Sequence, residues 1–325
     1  MGPVWRPLRI YSIEDKLTKP TKTYTIMKFR NLLMCLLLVG GLSASCIRED
    51  NSDCFNIYRL ALSYLGDENS EIFPEKIDRV DMYVFDGNGN CITSTRLSDA
   101  EVKAQLTTLP PLEEGTYRIV CVGNAYDTKV ENIDARDHSR TSFAAADYIN
   151  GETVSGNDPL YWSAIDYVIA PYDEYKQIET RTTYFKSSHY DISVEVVGVP
   201  AVKAGGYPDL ELVAVSPRTD FNNRAHGEPV TYLMETSHDG NVTMTATNNI
   251  MRHTNHDEVD LVLRAGDNVL ARVNFAEHIA KYGIDTSLNE CLIPFKISFL
   301  SGKVSVSVPD WYIHIIKPEM RPENM

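Results

Sequence analysis

Short runs in which every second side chain is apolar recur along most of the chain, and this alternation is the feature that most restricts its fold. One run places Val80, Met82 and Val84 on one face. The glycine-rich segment Asp86–Asn90 follows it, and an extended run resumes at Cys91. Alternation separates the two faces of a strand, and a glycine-rich break between two such runs is typical of a β-hairpin. An all-β fold is therefore expected.

The apolar runs recur at roughly ten-residue spacing, which favours β-sandwiches. In the first part, a tight turn at Gly115 precedes a strand, and strand material returns at Leu160–Trp162 and Tyr167–Ala170. The polar residues 127–158 between them are expected to form a long excursion with a short helix near Ser142–Tyr148. A polar join around Glu179–Lys186 follows.

The second part is expected to contain one helix, Asn274–Tyr282, among many strands. Those strands are expected at 190–197, 209–215, 229–236, 241–247, 258–265, 268–274, 292–299 and 303–308, before a tail at 311–316. We place the division between two tandem β-sandwich domains near residue 182. The first domain then covers residues 55–182, and the second covers residues 183–325 with the C-terminal tail.

The charge balance excludes one class of partner. Lys and Arg number 31 and Asp and Glu number 45, so the formal net charge is −14. Nucleic-acid binding depends on cationic surface that neutralises phosphates. We therefore expect no nucleic-acid partner.

Residues 27–46 have the layout of a secretory signal peptide. Lys28 and Arg30 form a short basic region, the apolar run Leu32–Val39 follows, and small residues lead to Cys46. This apolar run is about half of the roughly 20 residues that span a bilayer, so a permanent transmembrane helix is disfavoured. A buried core helix is the alternative for the run.

A cysteine directly after Ser43, Ala44 and Ser45 resembles the lipobox of bacterial lipoproteins. That resemblance implies cleavage between Ser45 and Cys46, and a diacylglycerol and an N-acyl chain on Cys46. An acylated cysteine of this kind is a stable membrane anchor. A free or disulfide-bonded Cys46 behind an ordinary signal-peptidase site is the alternative.

This interpretation divides the N-terminal region into three segments. Translation is expected to begin at Met27, which makes residues 1–26 an unstructured upstream extension. Residues 27–45 are the lipoprotein signal peptide. Residues 46–54 form a polar, acidic tether, which resembles the signals that send some lipoproteins to the outer face of the outer membrane. A plain solvated linker is an equal alternative for the tether.

The other cysteines give no metal or redox motif. No pair among Cys54, Cys91, Cys121 and Cys291 has CxxC spacing. An exported protein can form disulfides, so their pairing stays open. Because Cys121 alternates with apolar neighbours, a buried free thiol is an equal reading there.

The sequence carries no motif of a hydrolase, a phosphate-binding loop or a zinc protease. The segment from Asp86 resembles the start of a calcium loop, but Cys91 occupies the glycine position, so we interpret it as a turn. His253 and His256 lack the spacing of two ligands on one strand face, and we interpret them as solvated loop histidines. We therefore expect no enzyme activity, no metal, no cofactor and no small-molecule substrate.

Several segments in succession resemble the FimB/Mfa-type fimbrial anchor subunits of Gram-negative gut and oral bacteria. The succession begins with the leader ending at Cys46 and ends with Pro309-Asp310-Trp311. Between them stand Val80–Asp86 with its glycine-rich turn, Gly115–Val120 leading to Gly123-Asn124, Pro159–Trp162 and Tyr190–Val197. The resemblance implies two tandem transthyretin-like β-sandwiches at the base of a surface fimbria, anchored in the outer membrane by lipid.

The same resemblance implies that subunits assemble by strand exchange with the fimbrial shaft subunits. An extended segment then completes the sheet of another subunit. The candidate partner strand is the C-terminal segment with alternating side chains Val304, Val306, Val308, Trp311, Ile313 and Ile315. The alternative is that this segment is simply the last strand of its own domain. For the whole protein, the alternative function is a surface lipoprotein that binds glycans for an uptake system.

Overall fold

The computed structural model describes residues 56–133, 142–148, 153–171, 178–200, 206–220, 222–239, 242–300 and 302–316 of the chain. These residues form twenty-one strands and four short helices, which confirms the all-β class. They all fall in one compact unit, Phe55–Met325. The predicted extension, signal peptide and tether lie outside the described residues.

The first part of the chain forms two sheets. Sheet 1 has the strand order β4-β1-β9, and sheet 2 has the order β10-β8-β5-β2-β3. The elements are β1 (Ile57–Ser63), α1 (Phe73–Lys76), β2 (Val80–Phe85), β3 (Cys91–Arg96), α2 (Asp99–Ala104), β4 (Leu106–Thr108), β5 (Gly115–Gly123), β6 (Lys129–Glu131), β7 (Ser142–Ala144), β8 (Tyr161–Ile169), β9 (Ile178–Tyr184) and β10 (Lys186–Ser187).

The second part also forms two sheets. Sheet 3 has the order β16-β17-β11-β20-β21, and sheet 4 has the order β15-β12-β18-β19. The elements are β11 (His189–Val197), β12 (Asp209–Val215), β13 (Arg218–Asp220), β14 (Ala225–His226), β15 (Val230–Met234), β16 (Thr236–His238), β17 (Thr243–Met251), β18 (Asp260–Ala265), β19 (Asn268–Asn274), α3 (Phe275–Tyr282), β20 (Leu292–Leu300), β21 (Lys303–Ser307) and α4 (Asp310–Ile316).

Each pair of sheets encloses its own apolar core. Between sheets 1 and 2, the core includes Leu60 of β1, Val84 of β2 and Ile119 of β5, all fully buried. Between sheets 3 and 4, Val196 of β11 and Leu212 of β12 are fully buried. Alternate residues of each strand supply these cores, as the period of a strand requires.

A fifth, small sheet joins strands from both parts of the chain in the order β14-β13-β7-β6. Phe143 of β7 pairs with Thr219 of β13 and packs against Phe85 and Val122 on the outer face of sheet 2. The long excursion therefore holds the two parts together.

The glycine-rich turn after β2 is closed by its own side chains. Asp86 accepts hydrogen bonds from the backbone N–H groups of Asn88 and Asn90 at 2.8 and 2.9 Å. The side-chain amide of Asn90 also donates to Asp86 at 2.9 Å, and this bond, followed by the backbone bonds, lowers the pKa of the Asp86 carboxyl. Because the carboxylate is occupied by the turn, the segment is a hairpin connection of the kind the sequence predicts.

Three local predictions are wrong. Ser142–Ala144 forms a strand, not the start of a helix, because it pairs with β13 on one side and β6 on the other. The join at Glu179–Lys186 contains most of β9, which pairs in parallel with all seven residues of β1. The tail at 311–316 lies in the helix α4.

The predicted division at residue 182 falls inside β9, which belongs to sheet 1. The short strand β10 still belongs to sheet 2, and β11 opens sheet 3 at His189. The division of the chain into two domains stays a prediction.

Candidate functional site

The predicted lipid attachment at Cys46 and the cleavage site at Ser45 lie outside the described residues. Both stay predictions. The predicted partner strand lies within the described residues, so its position in the fold can be compared with the prediction.

The strand β21 lies at the edge of sheet 3. It pairs antiparallel with β20, from Lys296 opposite Ser307 to Leu300 opposite Lys303. In the described part of the chain, β20 is the one strand that pairs with β21, so β21 is the last strand of its own sheet. An edge strand presents unpaired backbone groups that a partner strand can bind.

Burial increases along the predicted partner strand. Val304 is 48% exposed, Val306 is partly buried against the core of sheets 3 and 4, and Val308 is buried. Displacement of the first half of β21 would therefore remove little buried surface, whereas displacement of Val308 would remove a side chain from the core.

The helix α3 covers part of this edge. The Tyr282 hydroxyl donates a hydrogen bond to the carbonyl oxygen of Val306 at 2.9 Å, and the Lys281 ammonium donates to the same oxygen at 3.3 Å. The side chain of Asn274 caps the helix by accepting from the N–H of Glu277 at 3.3 Å. The sequence analysis predicts the helix but misses that its last turn reaches β21.

The segment after β21 is helical rather than extended. Pro309 precedes the first helical residue, where its missing N–H costs no hydrogen bond, and Asp310 suits the first turn. Trp311 is 46% exposed, whereas Ile313 packs against the core. Ile315 lies in the last turn. A continuous extended strand from Val304 to Ile315 is therefore wrong for this chain as folded.

At the opposite end of the chain, β1 is the middle strand of sheet 1. It pairs with β4 on one side and with β9 on the other. Tyr58, Leu60 and Leu62 are buried in the core. The Tyr167 hydroxyl also donates to the carbonyl oxygen of Arg59 at 3.1 Å. The strand that follows the predicted tether is thus fixed on both sides and on its inner face.

His253 is buried and His256 is half-buried, which corrects the interpretation of both as solvated loop histidines. His253 is 4% exposed, and its Nδ1 donates to the carbonyl oxygen of Met251 at 3.0 Å. Burial lowers the pKa of His253 to about 4, and burial also lowers the pKa of the half-buried His256. Among the described residues, no group of three or more metal-ligating side chains comes together.

Among the described cysteines, Cys121 and Cys291 are free thiols. Burial raises the pKa of the Cys121 thiol to about 12 and that of the Cys291 thiol to about 11. Thiols with raised pKa values are weak nucleophiles at neutral pH.

The described helices include none that is long and apolar enough to cross a bilayer.

Solved structures share this fold at low sequence identity. A putative adhesin from Bacteroides ovatus matches with a TM-score of 0.62 and 15% identity, over 82% of this chain and 96% of that chain. A putative polysaccharide binding protein from Bacteroides thetaiotaomicron gives a TM-score of 0.61 and 13% identity, over 79% and 96%. The fimbrial anchor protein Mfa2 from Porphyromonas gingivalis gives 0.59 and 14%, over 78% and 95%. The comparison with curated proteins gives no match.

A family-level comparison covers most of the sequence. Residues 51–317 match the family described as fimbrillin-A associated anchor proteins Mfa1 and Mfa2. This match includes every described residue from β1 to α4, so it applies to the whole fold described above. The chain therefore belongs to the family of fimbrillin-A associated anchor proteins.

Proposed function

We propose that this protein is the lipid-anchored base subunit of a surface fimbria and attaches the fimbrial shaft to the outer membrane. The observation that carries the proposal is the family match over residues 51–317, which begins just after the lipobox-like Cys46. Family membership supports a fimbrial role at the cell surface. The lipobox pattern supports attachment through the acyl chains of Cys46, with residues 46–54 as the tether.

The position of β1 supports a load-bearing role. Tension from a lipid at Cys46 enters the fold at Ile57, the first residue of β1. The seven residues of β1 pair in parallel with β9, so the chain cannot leave sheet 1 without loss of those pairings and of the buried Leu60 and Leu62. A middle strand is better suited to carry tension than an edge strand, because hydrogen bonds hold it on both sides.

We further propose that the shaft subunit joins the anchor by strand exchange at β21. The edge position and the exposed Val304 support this site, since main-chain hydrogen bonds of a partner strand need an accessible edge. Exchange at β21 requires release of the Val306 carbonyl oxygen from Tyr282 and Lys281. The helical residues 310–316 are not part of the exchanged segment in this proposal.

No observation favours the alternative of a glycan-stacking platform. In the described part of the chain, the exposed aromatic side chains are Tyr126, Tyr184, Tyr207 and Trp311, which lie on four separate elements or loops. A platform for an extended glycan needs several coplanar rings on one face.

Cys46→Ala with surface labelling of the fimbriae tests the anchoring role. The variant is expected to release intact fimbriae into the medium, because the tether loses its acyl chains. Cys91→Ala is the matched control, since Cys91 is a half-buried cysteine on the edge strand β3, and its fimbriae should stay on the cell. Fimbriae that stay attached in Cys46→Ala would show that the anchoring role is wrong.

A further inference from the structure

An open cleft of about 790 Å³ lies on the second part of the fold. The β13–β14 turn and the following loop form one wall, and the loop after β17 forms the other. The polar residues that matter for its chemistry are Asn223, Arg224, Arg252, His253, Asn255 and Glu258.

Two arginines and one carboxylate line the cleft. Arg224 and Arg252 line it against one carboxylate, Glu258, whereas the whole chain has a net charge of −14. Arg252 donates to four main-chain carbonyl oxygens, including His189 at 3.1 Å and Thr286 at 3.2 Å, and has no carboxylate partner among the described residues. An exposed guanidinium without a carboxylate partner attracts anions.

Arg224 is available to a ligand. Its backbone N–H donates to Asp220 at 2.9 Å, which fixes the turn. Its side chain is exposed, and within the described residues no hydrogen bond or ion pair engages its guanidinium. A free guanidinium binds a carboxylate through two parallel hydrogen bonds.

Two acceptor atoms of the cleft residues also lack partners. The Nδ1 of His253 donates to Met251, so the Nε2 of this neutral ring is an acceptor. Neither this Nε2 nor the Oδ1 of Asn223 has a hydrogen-bond partner in the described part of the chain. Buried acceptors without a donor are uncommon in native structures, and these two are already shielded from bulk water. A hydrogen bond from a ligand donor to either of these atoms therefore has little further desolvation cost for the protein.

These groups together define the ligand. The free guanidinium requires an anion, and the two unpaired acceptors require hydroxyl or N–H donors. The side chains of Asn255 and Glu258, which bond to each other at 2.7 Å, add further acceptors on the same loop. We propose that this cleft binds one acidic sugar residue, with its carboxylate on Arg224 and its hydroxyls toward Asn223 and His253. Such a site holds its ligand by hydrogen bonds and needs no aromatic platform.

Titration calorimetry on the folded chain with methyl glucuronide tests the proposal. Saturable binding with Kd of about 1 mM or lower is expected. Methyl glucoside, which lacks the carboxylate, and acetate, which lacks the hydroxyls, should each bind at least about tenfold more weakly. Equal binding of acetate would overturn the proposal, because the site would then recognise only a carboxylate. The absence of saturable glucuronide binding would overturn it as well.

Arg224→Ala assigns the binding to this cleft. The variant should weaken methyl glucuronide binding about tenfold or more, while its thermal midpoint stays unchanged because the side chain is exposed. Arg96→Ala is the matched control, since Arg96 is an exposed arginine on sheet 2. Full binding by Arg224→Ala would contradict the proposal. Tighter binding of a short peptide with a free C-terminal carboxylate would also contradict it, because the site would then select a peptide terminus.

Discussion

The hydroxyl of Tyr64 donates a hydrogen bond to the carboxylate of Glu290, and this contact links the first and second parts of the chain. Tyr64 is fully buried, and Lys76 forms an ion pair with the same carboxylate. The neighbouring Asn289 donates its backbone N–H to Asp67 at 2.7 Å. Burial, and then the hydrogen bond to Glu290, raises the pKa of Tyr64, so the hydroxyl remains a donor.

Tyr64→Phe should therefore lower the free energy of unfolding by about 1–2 kcal/mol, because a hydrogen bond to a charged group is lost in a buried site. Urea unfolding measures the change. Tyr184→Phe is the control, since Tyr184 is 58% exposed and its substitution should stay within about 0.5 kcal/mol. Equal effects of the two substitutions would show that the Tyr64–Glu290 contact adds no stability.

His253 should make the fold less stable in acid. Burial lowers its pKa from the ordinary 6.5 to about 4, so between these values the unfolded chain binds a proton that the folded chain does not. Stability is then complete above pH 6.5 and falls by up to about 3 kcal/mol as the pH drops toward 4. The half-buried His256, whose pKa burial also lowers, contributes with the same sign.

Urea midpoints at pH 7 and pH 4.5 measure this loss in wild type and in His253→Gln. The variant should be less stable at pH 7 but should lose less stability on acidification. His226→Gln, at an exposed position on β14, should keep the wild-type pH dependence. If His253→Gln lost as much stability between pH 7 and pH 4.5 as the wild type does, His253 would not be the cause of the acid sensitivity.

Tyr282→Phe should loosen β21 without unfolding the sandwich. The substitution removes the 2.9 Å hydrogen bond to the carbonyl oxygen of Val306, while the ring still packs against the core. Hydrogen exchange should become faster at the backbone amides of β21 and stay unchanged in β11, the middle strand of sheet 3. If exchange in β21 did not change, the proposed control of this edge by α3 would be wrong.

Arg218→Lys should weaken the sheet that joins the two parts of the chain. Arg218 binds Glu131 through two hydrogen bonds of 2.7 and 3.3 Å, and its guanidinium lies 4.5 Å from the ring centre of Tyr148. Lysine keeps the charge but cannot form both bonds, so a loss of about 1 kcal/mol is expected in thermal unfolding.

Arg181→Lys provides the comparison for Arg218. Arg181 pairs with Glu179 two residues away on the same strand, and both side chains are more than a third exposed. Its substitution should change stability by less than about 0.5 kcal/mol. If Arg218→Lys left the stability in thermal unfolding unchanged, the small sheet would be held by its backbone pairing alone.

Alternation predicts those strands whose inner face is strongly apolar. Asn268–Asn274 and the hairpin of β2 and β3 are found where the pattern places them. The pattern misses β9, because its residues Glu179–Thr183 are polar and its place in sheet 1 depends on β1, more than a hundred residues earlier. It also misses α2, although Ser98 and Glu101 form a capping box that the sequence displays.

The sites depend even more on distant contacts. The edge position of β21 follows from its turn with β20, but the reach of Tyr282 to Val306 follows from how α3 packs. Asn223 and His253 line the same cleft, and no local sequence pattern predicts that they lie together. Similarly, Trp311 and Ile313 alternate as in a strand, but Pro309 and the packing of the tail on the core make a helix.

Mass spectrometry of the chain purified from outer membranes tests the proposed lipid anchor on the sulfur of Cys46. We expect an N-terminal residue at Cys46 that carries a diacylglycerol and an N-acyl chain. An unacylated chain, or one that still begins upstream of Cys46, would contradict it.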